Sequence, residues 1–126
     1  MRAMTDNTQS YGKGVQDQLV PLARELRHAI PDVMKSFADL HGSVLADGAL
    51  STKEKELIAL AISVSQRCDG CIASHARGAA RRGATEAEVS EAIGVAILMT
   101  GGPATVYGPR ALAAYRDFAE AAAAPA

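Results

Sequence analysis

Apolar residues in this chain recur at steps of three and four over most of its length, and the runs are punctuated by Gly, Pro or helix-start signals. Side chains spaced this way share one face of a helix, so the pattern predicts helices packed on helices. The sharpest starts are Ser51-Thr52-Lys53-Glu54 and Thr85-Glu86-Ala87-Glu88. Both are capping boxes, in which the Ser or Thr and the Glu satisfy each other's backbone N–H groups. The first predicts a helix through Leu57, Leu60, Ala61 and Val64 to about Gln66. Ile58 and Ile62 lie on its other side, so this helix needs apolar partners on two faces, in its own domain or in a neighbouring subunit. The second box predicts a helix that buries Val89, Ala92, Ile93, Ala96 and Ile97 and is broken at Thr100-Gly101-Gly102-Pro103.

The remaining elements follow from the same period. Leu19, Leu22, Leu26 and Ile30 form one stripe. Pro21 sits best in a first turn, which places the start of this helix near Val20. Pro31 opens a second helix with Val33, Phe37, Leu40 and Val44 as its stripe, and Gly48 supplies a stop. Cys68 opens a helix from about Asp69 to Arg82, closed by Gly83. A last helical stretch carries Val106, Leu112, Tyr115 and Phe118, with Pro109 either kinking or restarting it. Only 4% of residues are aromatic and there is no Trp, which disfavours a sandwich or barrel. The expectation is an all-α, single-domain bundle of about six helices over residues 15–120. A flexible tail is expected at residues 1–14 and another at residues 121–126.

Several classes drop out. The formal net charge is −1 with both signs interspersed, unlike the basic footprint of a nucleic-acid binder. Residues 1–12 hold no apolar run of the signal-peptide kind, and no stretch is apolar enough to span a membrane. The expected setting is cytoplasmic, where two cysteines in Cys-x-x-Cys point to redox or metal chemistry more than to a structural staple.

Those cysteines are Cys68 and Cys71. Three apart at a helix start, their Cα atoms lie on one side of the helix about 5 Å apart, which suits a disulfide. His75 follows Cys71 by one turn on the same face and can reach its sulfur. The helix N-terminus adds partial positive charge and free N–H groups, both favouring thiolate over thiol. Glu56 sits at the margin of the preceding helix's apolar face and could fold back over the Cys–His face as a base, which spacing alone does not decide.

Glu56, Cys68, Cys71 and His75 together make the pattern E-x11-C-x2-C-x3-H. In this the chain resembles the AhpD-like alkylhydroperoxidases of the carboxymuconolactone decarboxylase superfamily. The similarity extends through Gly48-Ala49-Leu50-Ser51, Ala79-Ala80-Arg81-Arg82-Gly83-Ala84-Thr85 and Met99-Thr100-Gly101-Gly102, covering roughly residues 31–120. It implies an all-α fold assembled as homotrimers or homohexamers, and peroxide reduction through a reversible Cys68–Cys71 disulfide. Cys71 would be the attacking thiolate, Cys68 the proton donor and resolving thiol, and Glu56 and His75 the proton relay. No bound cofactor is implied; a dithiol such as a lipoyl group or a thioredoxin-like protein would restore the thiols. Where the best-known members carry a His just before the second cysteine, this chain has Gly70.

Blander readings stand beside these. The cysteines could be inert buried thiols, or with His75 and Glu56 a metal site, although the second Cys/His pair usual in structural zinc sites is missing. The disulfide could be a switch without turnover, and a decarboxylase-like activity would not use thiols at all. His28 and His41 read as surface or satisfied residues, and Arg77, Arg81 and Arg82 as a solvated helix face. Gly101-Gly102 follows a helix rather than a strand and reads as a helix stop, not a phosphate loop.

Overall fold

The computed structural model describes residues 9–123. Residues 1–8 of the expected N-terminal tail and 124–126 of the expected C-terminal tail lie outside this range. The described residues form six helices: α1 (Lys13–Ala29), α2 (Pro31–Leu45), α3 (Thr52–Ser65), α4 (Asp69–Arg81), α5 (Glu86–Thr100) and α6 (Gly102–Ala123). This is the expected all-α, single-domain architecture.

Both capping boxes form as the residue types dictate. Ser51 accepts from Glu54 N while Ser51 N donates to the Glu54 carboxylate, and Thr85 and Glu88 repeat the arrangement. Asp47 adds a tertiary cap by accepting from Thr52 N at 2.8 Å. At the other end of α5, Gly101 turns the chain at φ 70°, a left-handed conformation that glycine adopts without strain.

The core lies among α3, α4, α5 and α6. Leu60 and Val64 of α3, Ile72 of α4 and Val89 of α5 are fully buried. They pack against a row of small residues, among them Ala76, Ala79, Ala104, Ala111 and Ala114, which let helix backbones approach closely. The one aromatic deep in this region, Tyr115, donates its hydroxyl proton to the Ala84 carbonyl at 2.6 Å, so its polar end is satisfied.

The α1–α2 hairpin is different. α2 buries no residue, and α1 buries only Val15. The stripes read from the sequence exist, but Leu22, Val33, Phe37 and Leu40 are each about 60% exposed.

Four expectations are corrected. α1 starts at Lys13, not near Val20, and carries Pro21 in its interior. Its N-terminus is held by partners outside the local pattern: Ser10 accepts from Gly14 N at 2.9 Å, and Asp117 of α6 takes both the Ser10 hydroxyl and Lys13 N. Pro21 and Asp17 are exposed, so the Asp17 carbonyl that loses its donor can turn to water. Second, the stretch 9–14 is therefore docked on α6 or helical rather than a tail. Third, α6 runs unbroken through Pro109 and on to Ala123, past the expected boundary at residue 120. Pro109 and Thr105, four residues before it, are again exposed. Fourth, Ile97 is 37% exposed and Ala92 only half-buried, because Val89, Ile93 and Ala96 are the α5 residues that reach the core.

Candidate active site

The turn between α3 and α4 is tight. Arg67 takes φ 55° there, and Cys68 N then reaches the Ser63 carbonyl at 3.2 Å. A non-glycine residue in this region costs about 1–2 kcal/mol. The turn delivers Cys68 as the N-cap of α4, where its sulfur accepts from Cys71 N at 3.2 Å. The two cysteines are joined as a disulfide with Cα atoms 5.2 Å apart, matching the separation read from their spacing. Cys71 is exposed and Cys68 half-buried.

Two contacts clamp the start of α4. Leu19 of α1 lies over Gly70, and a Cβ there would come within 2.9 Å of Leu19 Cδ1. A side chain at position 70 would therefore have to push the flexible end of the Leu19 side chain aside. Asp69, between the cysteines, accepts from Arg110 of α6 at 2.9 Å. The Arg110 guanidinium lies over the rings of Tyr107 and Tyr11, 4.4 and 5.0 Å from their centroids. The hydrogen bond to Asp69 raises the Arg110 pKa above its ordinary value against the opposing effect of desolvation. Asp69 Oδ1 is buried and has no hydrogen-bond partner among the described residues.

On the next turn of α4, His75 Nδ1 meets Glu56 Oε1 at 2.7 Å. Glu56 is only 7% exposed. The folding-back left open by spacing is realised, and Gly78 makes it possible. A Cβ at Gly78 would overlap the Glu56 carboxylate, so no other residue leaves room for it against the α4 backbone. With Glu56 ionised, His75 Nδ1–H donates to it, leaving Nε2 as an acceptor. Cys71 lies one turn earlier on the same helix face.

Two clefts flank this pair. An apolar one of about 490 Å³ runs between α2 and α3, lined by Phe37, Leu40, Val44, Ile58 and Ile62, and ends on His75. A polar one of about 250 Å³ reaches Glu56 from the other side, lined by Gln16, Ser74, Arg77, Arg81 and Arg82. The arginines expected to form a plain solvated face thus border the site. His41, read as a surface or satisfied residue, lines both clefts and stacks on His75, with ring centroids 5.9 Å apart. Among the described residues, no three His, Cys, Asp or Glu side chains converge as a metal-ligand set.

Residues 31–117 match the sequence profile of the Carboxymuconolactone decarboxylase family. The chain belongs to that family. Its relatives include an uncharacterized protein from Cupriavidus necator, 38% identical over 70% of this chain and 78% of that protein. Another is uncharacterized protein 4 in the cox locus of Paracoccus denitrificans, 40% identical over 71% and 80%. An uncharacterized protein from Haemophilus influenzae is 41% identical over 72% and 80%. Among solved structures, the apo form of a carboxymuconolactone decarboxylase family protein from Legionella pneumophila superposes with a TM-score of 0.75. It is 37% identical and is matched over 86% of this chain and 94% of its own. The AhpD-like resemblance read from the motif and the helical fold agree with this membership.

The four motif residues therefore sit at one place: Cys68, Cys71 and His75 along α4, with Glu56 reaching across from α3. Sequence reasoning missed Gly78, His41, Arg110 and Leu19. A glycine in a helix interior is a local cost, so Gly78 carried a readable signal of close approach. The other three carried none, because their partners lie 34, 41 and 51 residues away in the chain.

Proposed function

We propose that this family member is a thiol-dependent peroxidase and disulfide oxidoreductase cycling through Cys68 and Cys71. The observation that carries the reading is the pairing of buried Glu56 with half-buried His75, one helical turn beyond an exposed, disulfide-bonded Cys71. In the reduced protein, His75 Nε2 takes the Cys71 thiol proton while Glu56 orients the imidazole, as a third group orients other nucleophile–base pairs. The Cys71 thiolate attacks the outer oxygen of a hydroperoxide; the O–O bond breaks, the alcohol leaves with a proton from the relay, and Cys71 becomes a sulfenic acid. Cys68 then attacks the Cys71 sulfur, water departs, and the disulfide closes.

Regeneration uses the same asymmetry. A dithiol donor, a lipoyl group or a thioredoxin-like protein, attacks the exposed Cys71 sulfur. Cys68 leaves as a thiolate held by Cys71 N–H at the helix N-terminus. The donor's second thiol then displaces Cys71 and ends as a disulfide, so no bound cofactor is needed. A reducing cytoplasm fits a site that must be re-reduced each turn. The exposed apolar stripes of α1 and α2, with Ile58 and Ile62 of α3, support assembly as a homotrimer or homohexamer.

Stopped-flow oxidation of the reduced protein with hydrogen peroxide and organic peroxides tests the reading, followed by turnover with candidate dithiols. The expected product after alkylation is two hydrogens lighter than the dithiol and carries no label. In Cys68→Ser, dimedone should trap a sulfenic acid on Cys71. Two freely alkylated thiols after excess peroxide would refute it. Oxidation that no dithiol reverses catalytically would leave a switch without turnover. Light scattering that returns a monomer at micromolar concentration would remove the assembly.

A further inference from the structure

The relay described above has one partner too few to define its geometry. A single hydrogen bond at Nδ1 fixes one edge of the His75 ring, while the terminal torsion of a histidine is broad and leaves the ring free to rock about that bond. What bears on its face is His41, with rings 12° from parallel and centroids 5.9 Å apart, within the range of an offset stack. His41 comes from α2, a helix with no buried residue and few contacts to the bundle. It is also the only polar side chain that α2 contributes to the apolar cleft, among Phe37, Leu40, Val44 and Leu45.

Resting on the relay reading of Glu56 and His75, we propose that His41 is a positioning residue of this site, holding the His75 ring in the plane in which it serves Cys71. The seating of α2 then sets thiol reactivity through this one contact. The charged groups around His41 come from every neighbouring element. Lys55 and Glu56 of α3, His75, Arg77 and Arg81 of α4 and Arg82 just after it line the same clefts, and Asp47 before α3 lines a third cleft that His41 also borders. A change at His41 is therefore read against a fixed charged surround.

The test separates a ring face from a polar group. His41→Gln keeps polarity and removes the ring; His41→Phe keeps a flat face and removes the titrating nitrogens. Both are made in Cys68→Ser, so that iodoacetamide reports Cys71 alone, and no peroxide enters the measurement. His41 is exposed, so circular dichroism and thermal midpoints should match the parent. At pH 7, His41→Gln should alkylate roughly fivefold more slowly, with the deficit closing toward pH 9, because misorienting a base lowers the thiolate fraction only where the thiol is mostly protonated. His41→Phe should come within about twofold of the parent, since an aromatic face restores the stack. A His41→Gln profile that overlays the parent overturns the proposal. So does a His41→Phe protein as slow as His41→Gln, which would assign His41 a proton-carrying role instead. Failure of peroxide turnover in the wild-type protein would sink the peroxidase reading and leave this alkylation result untouched.

Discussion

The α1–α2 hairpin and the α3–α6 bundle share one apolar period and reach opposite ends. In the bundle, Leu60, Val64, Ile72 and Val89 vanish from solvent. In the hairpin, Leu22, Leu26, Val33, Phe37 and Leu40 keep half or more of their surface exposed. The difference lies in what each stripe faces. The bundle helices carry small residues opposite large ones, such as Ala76, Ala104, Ala111 and Ala114, and close on each other. Among the described residues, no layer covers the hairpin. Periodicity therefore announces that a face will be covered, and not by whom.

The largest expected effect separates the two regions by stability. Leu60→Ala should cost about 2–5 kcal/mol, the range for a fully buried leucine that leaves a cavity. Leu22→Ala, at 60% exposure, should cost the isolated chain under about 0.5 kcal/mol, as surface substitutions do. Urea unfolding at a concentration where only one species is present measures both. Equal losses would mean that the hairpin stripe is covered in solution even then.

A second effect lies where the bundle holds the site. Glu56→Gln and His75→Gln should fold normally and slow Cys71 oxidation about tenfold at pH 7, since a free thiol near pKa 8.5 is only a few per cent ionised there. The loss should shrink as pH rises toward 9. Gly78→Ala should fall in the same class by pushing the Glu56 carboxylate off the α4 backbone, with all four motif residues still present. Profiles that overlay the wild type would return Glu56 to an ordinary helix residue.

The smallest effect concerns acid. Asp47 and Glu54 at the start of α3 and Glu88 at the start of α5 are held below their ordinary pKa values, in each case chiefly by a backbone N–H bond, from Thr52, Ser51 and Thr85 respectively. Glu86 is lowered mainly by its hydrogen bond to Arg116. A depressed carboxylate lends stability in full above its unfolded pKa and loses it as pH falls through the folded value. Amide exchange should therefore rise first at the starts of α3 and α5 as pH drops below about 4. In the hairpin, the charge pairs Lys13–Asp17 and Lys35–Asp39 are solvent-exposed i,i+4 contacts that salt screens. Fraying that begins at α1 instead would reverse the order of the two regions.

What was legible in the sequence was local. Both capping boxes, the Gly101 stop and the Cys68–Cys71 spacing involve residues within a turn or two, where backbone geometry leaves little choice. The four candidate residues were legible as a pattern too, three of them along one face of one helix and Glu56 through the family motif. The start of α1 was not, because Asp117 supplies a cap from the far end of the chain and offsets Pro21's warning. Pro109 left the course of α6 open for a different reason: a proline's cost depends on which side of the helix meets water. Only the tertiary structure put Glu56 on His75 through the gap at Gly78, His41 on the His75 ring, and Arg110 between two tyrosines against Asp69. Those contacts join residues from different helices, and an amphipathic pattern determines which face a helix turns inward while leaving open which neighbour it meets there.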